Sequence, residues 1–140
     1  MDQAELLKRT AESELLQFLG VTIEKATGDH VILKMEVTPK VHQYLGIMNG
    51  GVSMLLAETA ASIGVVAGQD LSEVSPVGIE INGNHLRAVS RGILTVEAKP
   101  IYQGRTMAVW SIEITNDRDK LVCISRLTMM IKRGASTGRT

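Results

Sequence analysis

The chain has 140 residues, 44% of them hydrophobic and 21% charged, the size and balance of one domain that buries its core without disulfides or bound metal. Lys plus Arg number 15 and Asp plus Glu also 15, so no net field draws the chain to nucleic acid or anionic lipid, and with only 3% aromatics it lacks the stacking platforms of single-strand binders. One cysteine, Cys123, excludes an intrachain disulfide and any multi-cysteine zinc or iron–sulfur site, and suits a reducing compartment.

Residues 1–20 scatter Asp2, Glu5, Lys8, Arg9, Glu12 and Glu14 among leucines, unlike a secretory leader, so a cytoplasmic location is expected. Ala4, Leu7, Ala11, Leu15, Phe18 and Leu19 recur at spacings of three and four and predict one amphipathic helix over 3–18, ended by Gly20. Val31, Leu33, Met35 and Val37 alternate with Lys34 and Glu36 and predict a strand stopped by Pro39. A strand at 21–27 would pair with it through a Gly28-Asp29 turn. After a long apolar helix come four strand candidates, 75–86, 92–101, 105–115 and 120–132, rich in Val, Ile, Thr and Leu. The three prolines fall where strands would begin or end. We expect a single domain over 1–133 and a flexible tail over 134–140.

The middle helix decides the architecture. Val52, Met54, Leu55, Leu56, Ala57, Ala60, Ala61, Ile63, Val65 and Val66 point in every direction around its axis, which predicts a helix wrapped on all sides. Its apolar stretch, interrupted by Glu58, is shorter than the roughly 20 residues of a bilayer span, so no membrane contact is expected. One curved antiparallel sheet of about six strands rolled around a central helix satisfies both the burial and the element order. This α+β arrangement is the hotdog architecture. Such a sheet keeps a free edge, so two protomers are expected to pair edge to edge, as a homodimer or a dimer of dimers.

Glu58 is the anomaly in that helix, because an ionised carboxylate among apolar residues costs several kcal/mol unless it is paired or faces a polar cavity. Either it meets Arg87 or Arg105, or it serves chemistry. Ser62 shares its helix face, although a helical serine often bonds only to the preceding turn. Upstream, Gln43-Tyr44-Leu45-Gly46-Ile47-Met48-Asn49-Gly50-Gly51 enters the helix through two glycines. Free N–H groups and the positive dipole end at such a terminus favour an oxyanion, while Asn49 has the alternative role of a plain N-cap. His30 and His42 read as polar surface residues, and Cys123, Met129 and Met130 as packing. Lys99, Arg105 and Arg126 are cations open to solvent or to phosphate. Small Ala60, Ala61 and Gly64 are expected to leave space along the helix.

Together, Gln43-x5-Asn49-Gly50-Gly51-x6-Glu58-x3-Ser62 and Gly78-Ile79-Glu80-Ile81-Asn82-Gly83-Asn84-His85-Leu86-Arg87 resemble the acyl-CoA thioesterases of the hotdog superfamily. The similar subgroup holds the 4-hydroxybenzoyl-CoA, 1,4-dihydroxy-2-naphthoyl-CoA and PaaI-like enzymes, and the resemblance spans about residues 15–132. It implies Glu58 as general base or nucleophile, Gln43 near the thioester carbonyl, the Gly50 N–H as its polariser, and Ser62 as an orienting hydroxyl. It further implies that Gly51, Asn84, His85, Leu86 and Arg87, with Arg105, contact the substrate and its CoA moiety. Coenzyme A is then part of the substrate; no separate cofactor or metal is implied. Aryl substrates are favoured in that subgroup. Asn49 stands where most relatives carry histidine, and an asparagine cannot act as an acid or base near neutral pH. That change leaves a non-catalytic acyl-CoA or acyl-carrier binding module as an alternative, and a hotdog 3-hydroxyacyl thioester dehydratase, which would need His85, as another.

Overall fold

A computed structural model describes residues 2–134; of the tail expected over 134–140, all but Gly134 lies outside the described residues. In chain order the elements are α1 (Gln3–Ala11), α2 (Glu14–Leu19), β1 (Thr22–Thr27), β2 (His30–Glu36), a 3-10 turn at Pro39–Val41, α3 (Gly50–Ala67), β3 (Val74–His85), β4 (Ile93–Gln103), β5 (Met107–Thr115) and β6 (Leu121–Arg133). The six strands form one antiparallel sheet in the order β1-β2-β4-β5-β6-β3. Helix α3 touches all six strands, as the hotdog arrangement requires. The twelve-residue β3 ends the sheet with one side unpaired.

Three local expectations are corrected. The predicted helix over 3–18 is two helices, because Ser13 takes an extended conformation and its side chain caps α2 by accepting from the Leu16 N–H. A serine hydroxyl offers the backbone an alternative to continuing the helix. Gly20 does end α2, in the left-handed conformation at φ 73°. Strand β4 runs past Pro100 to Gln103 through a bulge between Pro100 and Tyr102, where a missing N–H is tolerated. Finally, α3 is not wrapped on all sides. The stripe Gly51, Met54, Leu55, Glu58, Thr59 and Ser62, at spacings of three and four, faces an open groove, with Met54 and Glu58 at its flank beside β3.

The space expected beside Ala60, Ala61 and Gly64 is filled. Ala60 and Ala61 are fully buried against the sheet, and a Cβ on Gly64 would come 2.2 Å from Cη2 of Trp110. Trp110 is itself fully buried, with its indole N–H donating to Gln103 Oε1 at 3.2 Å. Small residues therefore let the sheet close on the helix. The rigid indole cannot step aside as a flexible side chain would, so Gly64→Ala should lose about 1–3 kcal/mol to overpacking, partly offset by the better helix propensity of alanine. Urea unfolding of the variant, read as a fall in midpoint at unchanged slope, checks this.

Candidate active site

Asn49 is the N-cap of α3, with extended backbone at φ −62° and ψ 132° and a side-chain Oδ1 that accepts from the Gly51 N–H at 2.8 Å. Its backbone carbonyl accepts from Val52 N–H at 3.0 Å. Just ahead of these two satisfied donors, the Gly50 N–H has no acceptor among the described residues, and it stands at the positive end of an 18-residue helix. A free, half-buried donor at a helix N-terminus suits an oxygen that gains negative charge. Loss of the cap in Asn49→Ala should cost about 1 kcal/mol, while Asn49→Asp should hold the wild-type thermal midpoint.

The loop before the cap is braced by its own hydrogen bonds. Gln43 N–H donates to Ile47 O at 2.8 Å, and Gln43 Oε1 accepts from the Leu45 N–H, which fixes the side-chain amide and leaves its NH2 as the free donor. Gln43, Gly50, Ser53, His85, Leu86 and Arg87 line one cavity of about 360 Å³. His85 comes from the last position of β3, and its Nε2 would lie 2.8 Å from a Cβ built on Gly50. Any side chain at position 50 would collide with that imidazole.

Glu58 and Ser62 lie elsewhere, in a groove of about 730 Å³ over the open face of α3. Glu58 is half-buried and, among the described residues, forms no ion pair, so neither Arg87 nor Arg105 neutralises it. On one flank its carboxylate reaches toward β3, where a Cβ on Gly78 would stand 2.7 Å from Glu58 Oε1. Gly78 sits at a bulge that shifts the β3–β6 register. In Gly78→Ala the flexible carboxylate can swing away, so the expected result is an unchanged thermal midpoint, with a loss of about tenfold or more in any reaction that needs the Glu58 carboxylate in place. Paired melting and activity assays check it.

Eight residues separate Gly50 from Glu58 on one helix, about 12 Å along its axis at 1.5 Å per residue. One chain therefore holds the free Gly50 N–H and the Glu58 carboxylate apart, in two cavities. The other expected contacts also divide. Gly51 lines the Glu58 groove, Leu86 and Arg87 line the His85 cavity, and Asn84 lines a separate depression on the outer face of the sheet with Arg126. Arg105 sits in the β4–β5 turn, where its carbonyl accepts from Arg133 Nε at 3.0 Å. Sequence read Met54 only as helix packing and Gly78 only as part of the motif, and did not name Thr59; the four-residue spacing from Met54 to Glu58 and from Leu55 to Thr59 was the one trace of their place in the groove.

The remaining polar residues have structural roles. His30 Nε2 lies 2.7 Å from Glu97 and its Nδ1 2.9 Å from Lys25, while His42 donates to Ser90 O at 2.8 Å. Cys123 is buried, and burial pushes its thiol pKa up, away from a reactive thiolate. Met129 is buried, but Met130 is exposed on the outer face opposite Met107.

The fold coincides with that of known proteins. The sequence profile of the thioesterase superfamily matches residues 45–123. Over 119 residues the chain is 41% identical to a 1,4-dihydroxy-2-naphthoyl-CoA hydrolase of Listeria monocytogenes, a match covering 85% of this chain and 96% of that one. A mutant thioesterase from Pseudomonas aeruginosa superimposes with a TM-score of 0.86 at 34% identity, over 93% of this chain and 94% of that one. A hypothetical thioesterase from Streptococcus pneumoniae, solved with coenzyme A, does so with a TM-score of 0.80 at 26% identity, over 93% and 99% of the two chains. The chain belongs to the thioesterase superfamily and is a thioester hydrolase of the acyl-CoA type with the hotdog fold.

Proposed function

We propose that the protein hydrolyses aromatic acyl-CoA thioesters at a site shared by two copies of the chain, with Glu58 from one and Gln43 and Gly50 from the other. The observation that carries this reading is the separation of about 12 Å between Gly50 and Glu58 on one straight helix. A two-fold axis passing beside the middle of that span would set each Glu58 opposite the partner's helix N-terminus, making two equal sites. The unpaired side of β3, with half-exposed Val77 and Ile79, supplies an edge for that pairing. The aromatic preference rests on the Listeria hydrolase and on the subgroup resemblance.

In this mechanism the thioester carbonyl oxygen accepts from the Gly50 N–H and from the Gln43 amide, and the carbonyl carbon becomes electrophilic. Glu58 takes a proton from an attacking water, or attacks directly, with Ser62 one turn further along the same face to orient water or carboxylate. The tetrahedral centre then expels CoA as a thiolate, a leaving group stable enough that no strong acid is required; after water attack this gives the free acid, and after direct attack it leaves an acyl–Glu58 anhydride that water cleaves to the acid and the free carboxylate. Asn49 contributes as the cap that holds the helix terminus open, which needs no titrating group and accommodates the loss of histidine there. His85, Leu86 and Arg87 would flank the pantetheine arm, with the Arg87 guanidinium toward phosphate. Asn84 and Arg105 stand outside both cavities and are assigned no step.

Thiol release from benzoyl-CoA, 1,4-dihydroxy-2-naphthoyl-CoA and hexanoyl-CoA tests the assignment. The two aryl esters should turn over with the higher kcat/KM; an exclusive preference for hexanoyl-CoA would remove the aromatic reading. Tight binding of all three without thiol release would replace the enzyme by a binding module.

A further inference from the structure

The groove that holds Glu58 has a second wall that the catalytic reading does not use. It comes from the elbow between α1 and α2, where Arg9, Thr10, Ser13, Leu15 and Leu16 face the open stripe of α3. The elbow is built by its own hydrogen bonds: Ser13 caps α2, Gln17 Nε2 donates to Ala11 O at 2.8 Å, and Thr10 Oγ1 donates to Leu6 O at 2.7 Å. Leu16 is buried and anchors it, whereas Leu15 beside it is 52% exposed and half-covers the groove. Across from Leu15, the floor is apolar at Met54, Leu55 and Ile63. An apolar slot that begins at a carboxylate and is roofed by a self-supporting turn can take an apolar group attached to the atom under attack.

We propose that the α1–α2 elbow is the acyl-selecting element of the enzyme, with Leu15 as the side chain that contacts the distal part of the acyl group. The proposal rests on Glu58 being the hydrolytic carboxylate. A short acyl chain would not reach Leu15, and a benzoyl ring would lie between it and the α3 floor. Removal or enlargement of one apolar side chain in such a slot changes discrimination by about tenfold or more. Because Leu15 is half-exposed, its replacement should leave the fold intact, and thermal melting of each variant confirms that.

The experiment compares kcat/KM for acetyl-CoA and benzoyl-CoA in the wild type, Leu15→Ala and Leu15→Trp, with light-scattering mass alongside. The expected result is a benzoyl-to-acetyl ratio at least about tenfold lower in both variants, through lost contact in the first and a filled slot in the second, with acetyl-CoA rates and mass unchanged. Equal scaling of both substrates, or a change of oligomeric mass in place of a change in ratio, would overturn the elbow as the selecting element and leave the thioesterase reading standing. Activity on both esters that survives Glu58→Ala would overturn the catalytic reading, and with it the proposal.

Discussion

Glu58→Ala is expected to lower kcat for thiol release from benzoyl-CoA by at least about a hundredfold, the lower range for a lost general base. The carboxylate stands on the open stripe of α3, without an ion pair among the described residues, so its removal leaves no buried charge unpartnered. Stability should therefore hold, which separates a chemical loss from a folding loss. Glu58→Gln sharpens the test, because the amide keeps the shape and the groove but cannot accept a proton from water or form an acyl intermediate as a carboxylate does. Both variants should bind substrate with little change in KM and lose kcat and kcat/KM together, the pattern of an interaction made only in the transition state. A folded Glu58→Gln that retained most of its rate would remove the carboxylate from the mechanism.

Much of this was legible in the chain. The alternation of Val31, Leu33, Met35 and Val37 fixes which face of β2 is buried, and those four side chains are indeed nearly or fully inaccessible. Glu58 stood out because a carboxylate in an apolar helix needs a reason, and Asn49 because asparagine before two glycines is a natural cap. Three things were not legible. All directions of α3 are apolar, so periodicity could not tell which stripe the curved sheet would leave open. Gly64 looked like room for a ligand, but a sequence does not reveal that Trp110, 46 positions later, packs onto it. The apolar spacing runs without a break past Ser13, whose choice to cap rather than continue creates the elbow; Leu15, read as part of the apolar face of one helix, instead half-covers the groove.

The division of the site between two cavities has the same origin. The eight-residue spacing from Gly50 to Glu58 is visible in the sequence, but it becomes decisive only when β3 places Gly78 beside Glu58 and His85 beside Gly50. Those two contacts put the Glu58 carboxylate and the Gly50 N–H at opposite ends of the same strand–helix contact. In the proposed mechanism a single chain then has each half of the machinery and not a whole.

Complementation between two inactive variants tests that claim most directly. Glu58→Ala and Gln43→Ala chains, each nearly inactive alone, are co-expressed in equal amounts with different affinity tags, and thiol release from benzoyl-CoA is measured on the mixture. In a mixed dimer one site carries both defects and the other carries neither. Random pairing makes half of the dimers mixed, each with one intact site of two, so activity should recover to about a quarter of the wild-type value. The doubly tagged fraction alone should reach about half. A mixture no more active than the separate variants, with mixed dimers present, would mean that Glu58 and Gln43 serve the same site from one chain, and the shared-site account would be contradicted.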